Sequence, residues 1–166
     1  MESNKIVILG DAAVGKTSLV KALSGKFQKS YLMTVGFERE YYKAINYGKE
    51  VNFSLWDTAG QESMRISKQV FYQGVMGALI VFDLTRPATL EHCNRWMAEL
   101  RQHAHPSLPV VLVGTKSDMK DYVSIENAEI ELFKEKWEIY ASFKVSSVTG
   151  ENIHEIFELI VNIKVG

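Results

Sequence analysis

The hydrophobic and polar positions of this chain form two alternating kinds of segment. Short apolar runs, bounded by glycine or polar residues, occur at 6–9, 75–82 and 110–113. Runs of that length are typical of strands buried on both faces. Between them, apolar residues recur at steps of three and four, which predicts helices. These helical positions are Leu90, Cys93, Met97 and Leu100 after Pro87, then Ile125, Ala128 and Leu132 after an N-cap at Ser124, and then Ile153, Ile156, Phe157, Ile160 and Val161.

The alternation predicts a mainly parallel sheet covered by helices on both faces. Residues 38–47 and 51–56, joined by 48–50, have a different pattern and predict a β-hairpin. In its second strand, apolar residues alternate with polar ones, so one face is apolar. We expect this hairpin to add an antiparallel edge to the sheet. Residues 139–145 also alternate, which predicts a strand at or near the other edge.

Composition and charge are those of one folded domain spanning residues 1–166. The 166 residues are 46 % hydrophobic and 23 % charged, with a formal net charge of −1. This charge gives no electrostatic reason to expect a nucleic-acid partner. We find no secretory signal and no apolar stretch of the roughly 18 residues that a membrane span needs. The single cysteine, Cys93, excludes an internal disulfide, and together these features predict a cytoplasmic protein.

The segment from Gly10 to Thr17, GDAAVGKT, matches the pattern G-x-x-x-x-G-K-[ST]. It follows the first predicted strand and precedes a helix, which is the context that the pattern requires. In such a loop, backbone N–H groups converge on phosphate oxygens, and Gly15 permits the close approach. Lys16 then reaches the β- and γ-phosphates, and the Thr17 hydroxyl can bind Mg²⁺. The pattern predicts a nucleoside triphosphate but not its base, because adenylate kinases and many ATPases share it.

A second run, DTAGQE at 57–62, follows the predicted hairpin. Asp57 stands at the carboxyl end of a strand beside the phosphate loop, where an acidic residue is the usual partner of Mg²⁺, here through water. Gly60 leaves its N–H open to a γ-phosphate, and Gln61 can orient an attacking water. These residues predict hydrolysis of the bound triphosphate.

With these motifs the chain resembles the Ras-superfamily small GTPases over essentially its whole length. It is most similar to the Rab branch, in Trp56 before Asp57, FYQG at 71–74, VFDLT at 81–85 and TGENI at 149–153. The resemblance implies an α/β P-loop G-domain with five helices. Its sheet would have six strands and be mostly parallel, with one antiparallel edge strand.

The resemblance also implies a monomeric switch that binds GTP, hydrolyses it to GDP with Mg²⁺, and changes conformation at residues 28–38 and 58–72. The implied catalytic residues are Gln61, Lys16 and Thr34, and the implied Mg²⁺ ligands are Thr17, Thr34 and Asp57. Thr34 would sense the γ-phosphate through the metal. The implied nucleotide-binding residues are Gly10, Asp11, Ala12, Ala13, Val14, Gly15, Lys16, Thr17, Ser18, Phe27, Tyr31, Thr34, Gly60, Thr115, Lys116, Asp118, Ser146, Ser147 and Val148.

The base-recognition residues follow the third apolar strand. The segment 115–118, TKSD, is similar to the family's Asn-Lys-x-Asp, in which the aspartate accepts hydrogen bonds from guanine N1–H and N2–H₂. Adenine offers no such donor pair, and an unpaired buried polar group is costly. Lys116 would lay its alkyl stem over the base. Thr115 replaces the usual asparagine, so we expect a weaker tie between the base site and the phosphate loop.

The segment 145–148, VSSV, is similar to the family's Thr-Ser-Ala-Lys. Ser146 would buttress Asp118, and the N–H of Ser147 would meet guanine O6. On the other side of the nucleotide, Phe27 would lean on the guanine ring and Tyr31 would cover the phosphates.

Ala12 and Ala13 stand where many relatives have glycine or Ser-Gly, and no arginine is an obvious cis finger. We therefore expect slow intrinsic hydrolysis, of order 10⁻⁴–10⁻³ s⁻¹. Two other interpretations stay open. One is an interaction module that guanine nucleotide stabilises but that barely turns over, which Ala12 favours and Gln61 opposes. The other is an ATP-dependent P-loop kinase, which Asp118 and the lack of a lid-like insertion disfavour.

The implied partners are effectors, exchange factors and GTPase-activating proteins that bind the switch regions. Strand parity places Trp56 opposite the apolar face of its strand, where burial is not expected. We hypothesise an aromatic patch of Phe37, Trp56 and Phe71, with Arg39 at its rim where relatives have phenylalanine. The alternative is that Trp56 simply packs against Phe71. Peripheral membrane attachment would need a lipidated tail, which these 166 residues do not contain.

Overall fold

A computed structural model describes residues 4–25, 28–29, 39–46, 49–57 and 67–162 of the chain. These residues form a seven-stranded sheet with the order β2-β3-β4-β1-β5-β6-β7. All neighbouring strands pair in parallel except β3, which is antiparallel to both β2 and β4. The strands are β1 Asn4–Leu9, β2 Gln28–Lys29, β3 Arg39–Asn46, β4 Lys49–Asp57, β5 Val75–Asp83, β6 Val110–Thr115 and β7 Ala141–Lys144.

The six predicted strands, with one antiparallel member among them, are confirmed. Two details differ from the prediction. The two-residue strand β2 lies outside β3, so the antiparallel strand is second from the edge. Lys49 and Glu50, which we placed in the hairpin connection, belong to β4, because the antiparallel ladder continues until Asn46 pairs with Lys49.

Five α-helices lie in the described ranges, as predicted, and none of them is both long and apolar enough to cross a lipid bilayer. The last helix carries the predicted apolar stripe, and Pro87 is the first residue of α3. A short 3-10 turn, Lys120–Tyr122, follows β6. The helices are α1 Lys16–Ser24, α2 Lys68–Tyr72, α3 Pro87–His103, α4 Asn127–Trp137 and α5 Ile153–Asn162.

Helix α4 begins later than its apolar spacing suggested. Its N-cap is Glu126, whose side chain and backbone exchange hydrogen bonds with Glu129 in a capping box. Ser124, the N-cap we predicted, instead donates its backbone N–H to the carbonyl of Leu84. The buried face of α4 therefore carries Ile130 and Phe133, and Leu132 is 66 % exposed.

The sheet separates two hydrophobic cores, and alternate residues of β1 point into each. Ile6 and Ile8 pack in the core beneath α1 and α5, whereas Val7 and Leu9 pack in the core beneath α2, α3 and α4. The strand is fully buried on both faces, so the segment that leaves its carboxyl end starts from a fixed position. Cys93 lies in the second core, where burial raises the pKa of its thiol to about 12.

Candidate functional site

The phosphate-loop segment joins β1 to α1 at the carboxyl edge of the sheet. Gly10 has φ 153°, and a Cβ atom there would lie 2.3 Å from the carbonyl oxygen of Val81, so only glycine fits. Val14 is fully buried and anchors the loop in the core beneath α1. Gly15 precedes α1 with φ 102°. Among the described residues no side chain caps this helix, which leaves its first N–H groups available to a phosphate.

The Lys16 ammonium is folded back against the loop that precedes it. Nζ donates to the carbonyls of Gly10 at 2.8 Å and Asp11 at 2.7 Å, and the residue is 5 % exposed. Burial lowers the pKa of Lys16, whereas the negative charges of Asp57 and Asp11 oppose that shift. The lysine is thus held inside the curve of the loop, where the predicted phosphate contact requires it.

Two side-chain oxygens that could bind a metal lie close together beside the loop, at the position predicted for Mg²⁺. Thr17 Oγ1 donates to Asp57 Oδ2 across 3.4 Å, because β4 ends next to β1 and brings its last residue to α1. Hydroxyl and carboxylate oxygens fit Mg²⁺, which is held by one or two carboxylates together with substrate phosphates. In the part of the chain that the structure describes, no group of three or more His, Cys, Asp or Glu side chains could hold a metal. The residues present fit a Mg²⁺ ion that arrives with the nucleotide.

The predicted base site follows β6, and the predicted contact between Ser146 and Asp118 is present there. Ser146 is fully buried, and its Oγ donates to Asp118 Oδ1 at 2.8 Å. The same Oγ accepts the backbone N–H groups of Val148 at 3.2 Å and Thr149 at 3.0 Å. The Asp118 side chain is exposed and open to a ligand. The Val148 side chain is 83 % exposed, and Ser147 between these residues is half-buried.

Two contacts join the base site to the phosphate loop. Thr115 Oγ1 donates to the carbonyl of Val14 and also lies 3.1 Å from the carbonyl of Phe82. Lys116 Nζ donates to the carbonyl of Ala13 at 3.3 Å. The threonine therefore reaches the loop, but its hydroxyl has one proton for two carbonyls, whereas an asparagine amide has two.

Asp83, the last residue of β5, was missing from the predicted site. Its fully buried carboxylate pairs with Lys116 Nζ at 2.6 Å. Burial by itself raises the pKa of Asp83, but the hydrogen bonds from Lys116 and Thr85 outweigh it and hold that pKa below its usual value. The sequence did contain a signal, because the carboxyl ends of neighbouring parallel strands share one edge and ligands bind there.

Asp11 belongs to the predicted nucleotide-binding set, but its side chain points to α3 instead of to the loop interior. Its carboxylate pairs with His92 Nδ1, accepts a hydrogen bond from Trp96 Nε1 at 3.0 Å, and lies 3.5 Å from Arg95 Nη2. Burial raises the pKa of Asp11, and the contacts with Trp96, His92 and Arg95 lower it to below its usual value. The three partners are spaced i, i+3 and i+4, so they lie on one face of α3. The sequence pattern predicts that shared face, but it does not predict that Asp11 contacts it.

Trp56 is not the free surface aromatic that strand parity suggested. It is half-buried at the edge of the second core, with its ring edge-to-face on Phe71 at a centroid distance of 5.9 Å. Lys5 Nζ lies 3.6 Å from the centre of the Trp56 ring. Phe71 is only 2 % exposed and so cannot form part of a surface patch in this conformation. The pairing matches the alternative in which Trp56 packs against Phe71.

Several predicted residues lie outside the described residues. They are Phe27, Tyr31, Thr34, Phe37, Gly60 and Gln61. The described part of the site contains the predicted phosphate loop, one pair of predicted metal ligands and the predicted base-recognition segments. Ala12, Ala13, Thr17 and Ser18 have exposed side chains at its rim.

Comparison with known proteins agrees with this arrangement. A family model described as "Ras family" matches residues 5–164. The chain belongs to the Ras family. Ras-related protein RIC2 of Oryza sativa subsp. japonica is 36 % identical over 154 residues, which cover 92 % of this chain and 70 % of RIC2.

Two further relatives of this Ras-family chain carry Rab names. Ras-related protein RABA1a of Arabidopsis thaliana is 35 % identical over 154 residues, covering 92 % of this chain and 71 % of the relative. Ras-related protein Rab11E of Lotus japonicus is 35 % identical over 159 residues, covering 95 % and 72 %. The resemblance to small GTPases of the Rab branch is confirmed, and the domain is a small G-domain of the Ras family.

Proposed function

We propose that this Ras-family domain binds GTP together with Mg²⁺, hydrolyses it to GDP, and uses the change to control partner binding. The observation that carries the proposal is a direct connection between the two halves of the site, the predicted base site and the phosphate loop. The base-site residue Lys116 bonds to the phosphate-loop carbonyl of Ala13, while Thr115 bonds to that of Val14. One ligand with a base and a phosphate chain can therefore occupy both halves at once.

Each half supplies a different part of the recognition. Lys16 and the uncapped start of α1 bind the β- and γ-phosphates, since both offer N–H donors and positive charge to an anion. The Asp118 carboxylate accepts two hydrogen bonds from guanine, and Ser146 fixes its orientation. When bound, Mg²⁺ would neutralise charge on the β- and γ-phosphates, with Thr17 and Asp57 holding it.

The hydrolytic step is assigned to Gln61, which would orient the attacking water, with Thr34 and Gly60 sensing the γ-phosphate. Arg95 is the described arginine that contacts the loop segment, and its guanidinium lies against Asp11 on the α3 side. An arginine on that side of the described site offers no charge to the γ-phosphate, which supports our expectation of slow intrinsic turnover. An activating protein would supply the missing charge, and Rab-like membrane traffic is the cellular role that the plant relatives suggest.

Single-turnover hydrolysis of GTP tests this proposal. Gln61→Leu is expected to lower the rate constant by at least about tenfold, because the water loses its orienting group. Gln102→Leu, at an exposed position on α3, is the matched control and should hydrolyse GTP like the parent. If the parent binds GTP but shows no hydrolysis above the Gln61→Leu variant, the protein is the nucleotide-stabilised interaction module instead.

A second experiment concerns partner binding at Trp56. Trp56→Ala is expected to weaken a partner that binds the GTP form by about 2 kcal/mol, or about 30-fold, because part of this aromatic side chain is exposed to a partner. Titration of the GTP-loaded protein with that partner measures the loss, and nucleotide affinity should stay within about tenfold.

The control for Trp56 is its buried neighbour. Phe71→Ala removes a fully packed ring and should lower the free energy of unfolding by about 3 kcal/mol. If Trp56→Ala behaves in the same way, losing thermal stability while partner binding survives, then Trp56 serves only in packing.

A further inference from the structure

Asp83 is a buried charge for which the proposed function has no use so far. Its carboxylate has no exposed surface, and both oxygens are occupied. Oδ1 accepts the backbone N–H of Thr85 at 2.8 Å and its hydroxyl at 2.7 Å, while Oδ2 faces Lys116 Nζ at 2.6 Å. Burying a carboxylate is costly unless it is paired and hydrogen-bonded. The pairing therefore fixes both the end of β5 and the lysine ammonium.

Lys116 needs such a partner because of where its side chain lies. The residue has a left-handed backbone, φ 66°, and its side chain is 34 % exposed. Its ammonium reaches the Ala13 carbonyl at 3.3 Å, a longer contact than the one to Asp83. Without the carboxylate, water would compete for the ammonium, and the alkyl stem would lose its position above the predicted base.

The link between the base segment and the phosphate loop depends more on Lys116 in this chain than it would with an asparagine at position 115, because position 115 is a threonine. The Thr115 hydroxyl has one proton to share between the carbonyls of Val14 and Phe82. Among the described residues, Lys116 provides the other link from the base segment to the phosphate loop. A loss of order at Lys116 would therefore affect both the base and the phosphate contacts.

We propose that Asp83 is a positioning residue for guanine-nucleotide retention, acting through Lys116, whose ammonium it holds between the end of β5 and the phosphate loop. The proposal rests on the proposed function, because it assumes that a guanine nucleotide occupies this site. It assigns to Asp83 no contact with the nucleotide itself. Its effect is on how long a bound nucleotide stays.

The variant that isolates this role is Asp83→Asn in the full chain. An asparagine Oδ1 can still accept both hydrogen bonds from Thr85, but its amide cannot pair with an ammonium. The rate of release of fluorescent GDP, chased with excess unlabelled GDP in Mg²⁺, should rise by at least about tenfold. Thr85→Ala is the matched control, since it removes one bond to Oδ1 and leaves the pair on Oδ2, and its release rate should stay within about twofold of the parent.

A double-mutant cycle separates positioning from general stability. In a Lys116→Met background there is no ammonium to hold, so Asp83→Asn should change the release rate by less than about twofold. An equal increase in both backgrounds, or no increase in the parent background, overturns the proposal. Asp83→Ser carries the same expectations and replaces Asp83→Asn if that variant does not fold. A parent that fails to retain fluorescent GDP refutes the proposed function and is distinguishable from these outcomes.

Discussion

Lys16→Ala is expected to lower the affinity for GDP and GTP by about 10²–10⁴-fold. The buried ammonium already donates to two carbonyls of the loop, so it is held where phosphate oxygens can replace or join them. Two charge-assisted hydrogen bonds, at about 1.5–3 kcal/mol each, give about 3–6 kcal/mol and hence that range. Equilibrium titration with fluorescent nucleotides measures the change.

Two controls make the result specific to the phosphates. Lys21→Ala removes an exposed lysine from the same helix and should leave both affinities unchanged. Guanosine monophosphate lacks the β- and γ-phosphates, so its affinity should fall by less than about tenfold in Lys16→Ala. A variant that binds GTP within tenfold of the parent would remove Lys16 from the phosphate site.

Asp118→Asn is expected to lower GTP affinity by about 10²–10³-fold and to raise the affinity for xanthosine triphosphate. Ser146 Oγ accepts two backbone N–H groups, so its own proton is directed at Asp118 Oδ1. In the variant that proton keeps the asparagine carbonyl on the Ser146 side and turns the amide N–H₂ toward the base. An N–H₂ opposes the guanine N2–H₂ group but can donate to the C2 carbonyl of xanthine.

Competition of GTP and xanthosine triphosphate against fluorescent GDP measures this exchange of preference. Asp121→Asn, at an exposed position in the neighbouring 3-10 turn, is the matched control and should keep the guanine preference. Unchanged GTP affinity in Asp118→Asn, with no gain for xanthosine triphosphate, would place the base elsewhere.

The parts of the fold that could be predicted from the sequence are those with strong local periodicity. The three apolar runs and the stripes of α3 and α5 match the observed strands and helices, because burial dictates each pattern within a few turns. Helix α4 was misplaced because Ile125, just ahead of the helix, is buried as well and extends the apparent stripe. The observed N-cap, Glu126, forms a capping box with Glu129, but glutamate is not among the residues that usually mark a helix start.

In the candidate site too, features set by consecutive residues could be predicted from the sequence, whereas contacts between distant residues could not. The place of segment 10–17 between β1 and α1 was predictable, because its residues are consecutive and match one motif. The ion pair of Asp83 with Lys116 and the contact of Asp11 with α3 join residues that are distant in the chain, and only the strand order brings them together. Strand parity for Trp56 predicted the right face but the wrong burial, since the outer face of β4 meets a second core.

The double engagement of Asp11 has a thermodynamic consequence. The Asp11 carbonyl accepts a hydrogen bond from Lys16, and its carboxylate contacts three side chains of α3. Asp11 therefore connects the phosphate-loop lysine to α3. If a macromolecule bound to α3 alters these contacts, nucleotide affinity changes by some factor, and linkage requires nucleotide to change that macromolecule's affinity by the same factor. Binding of a macromolecule to the outer surface of α3 and binding of nucleotide to the phosphate loop would then be thermodynamically coupled.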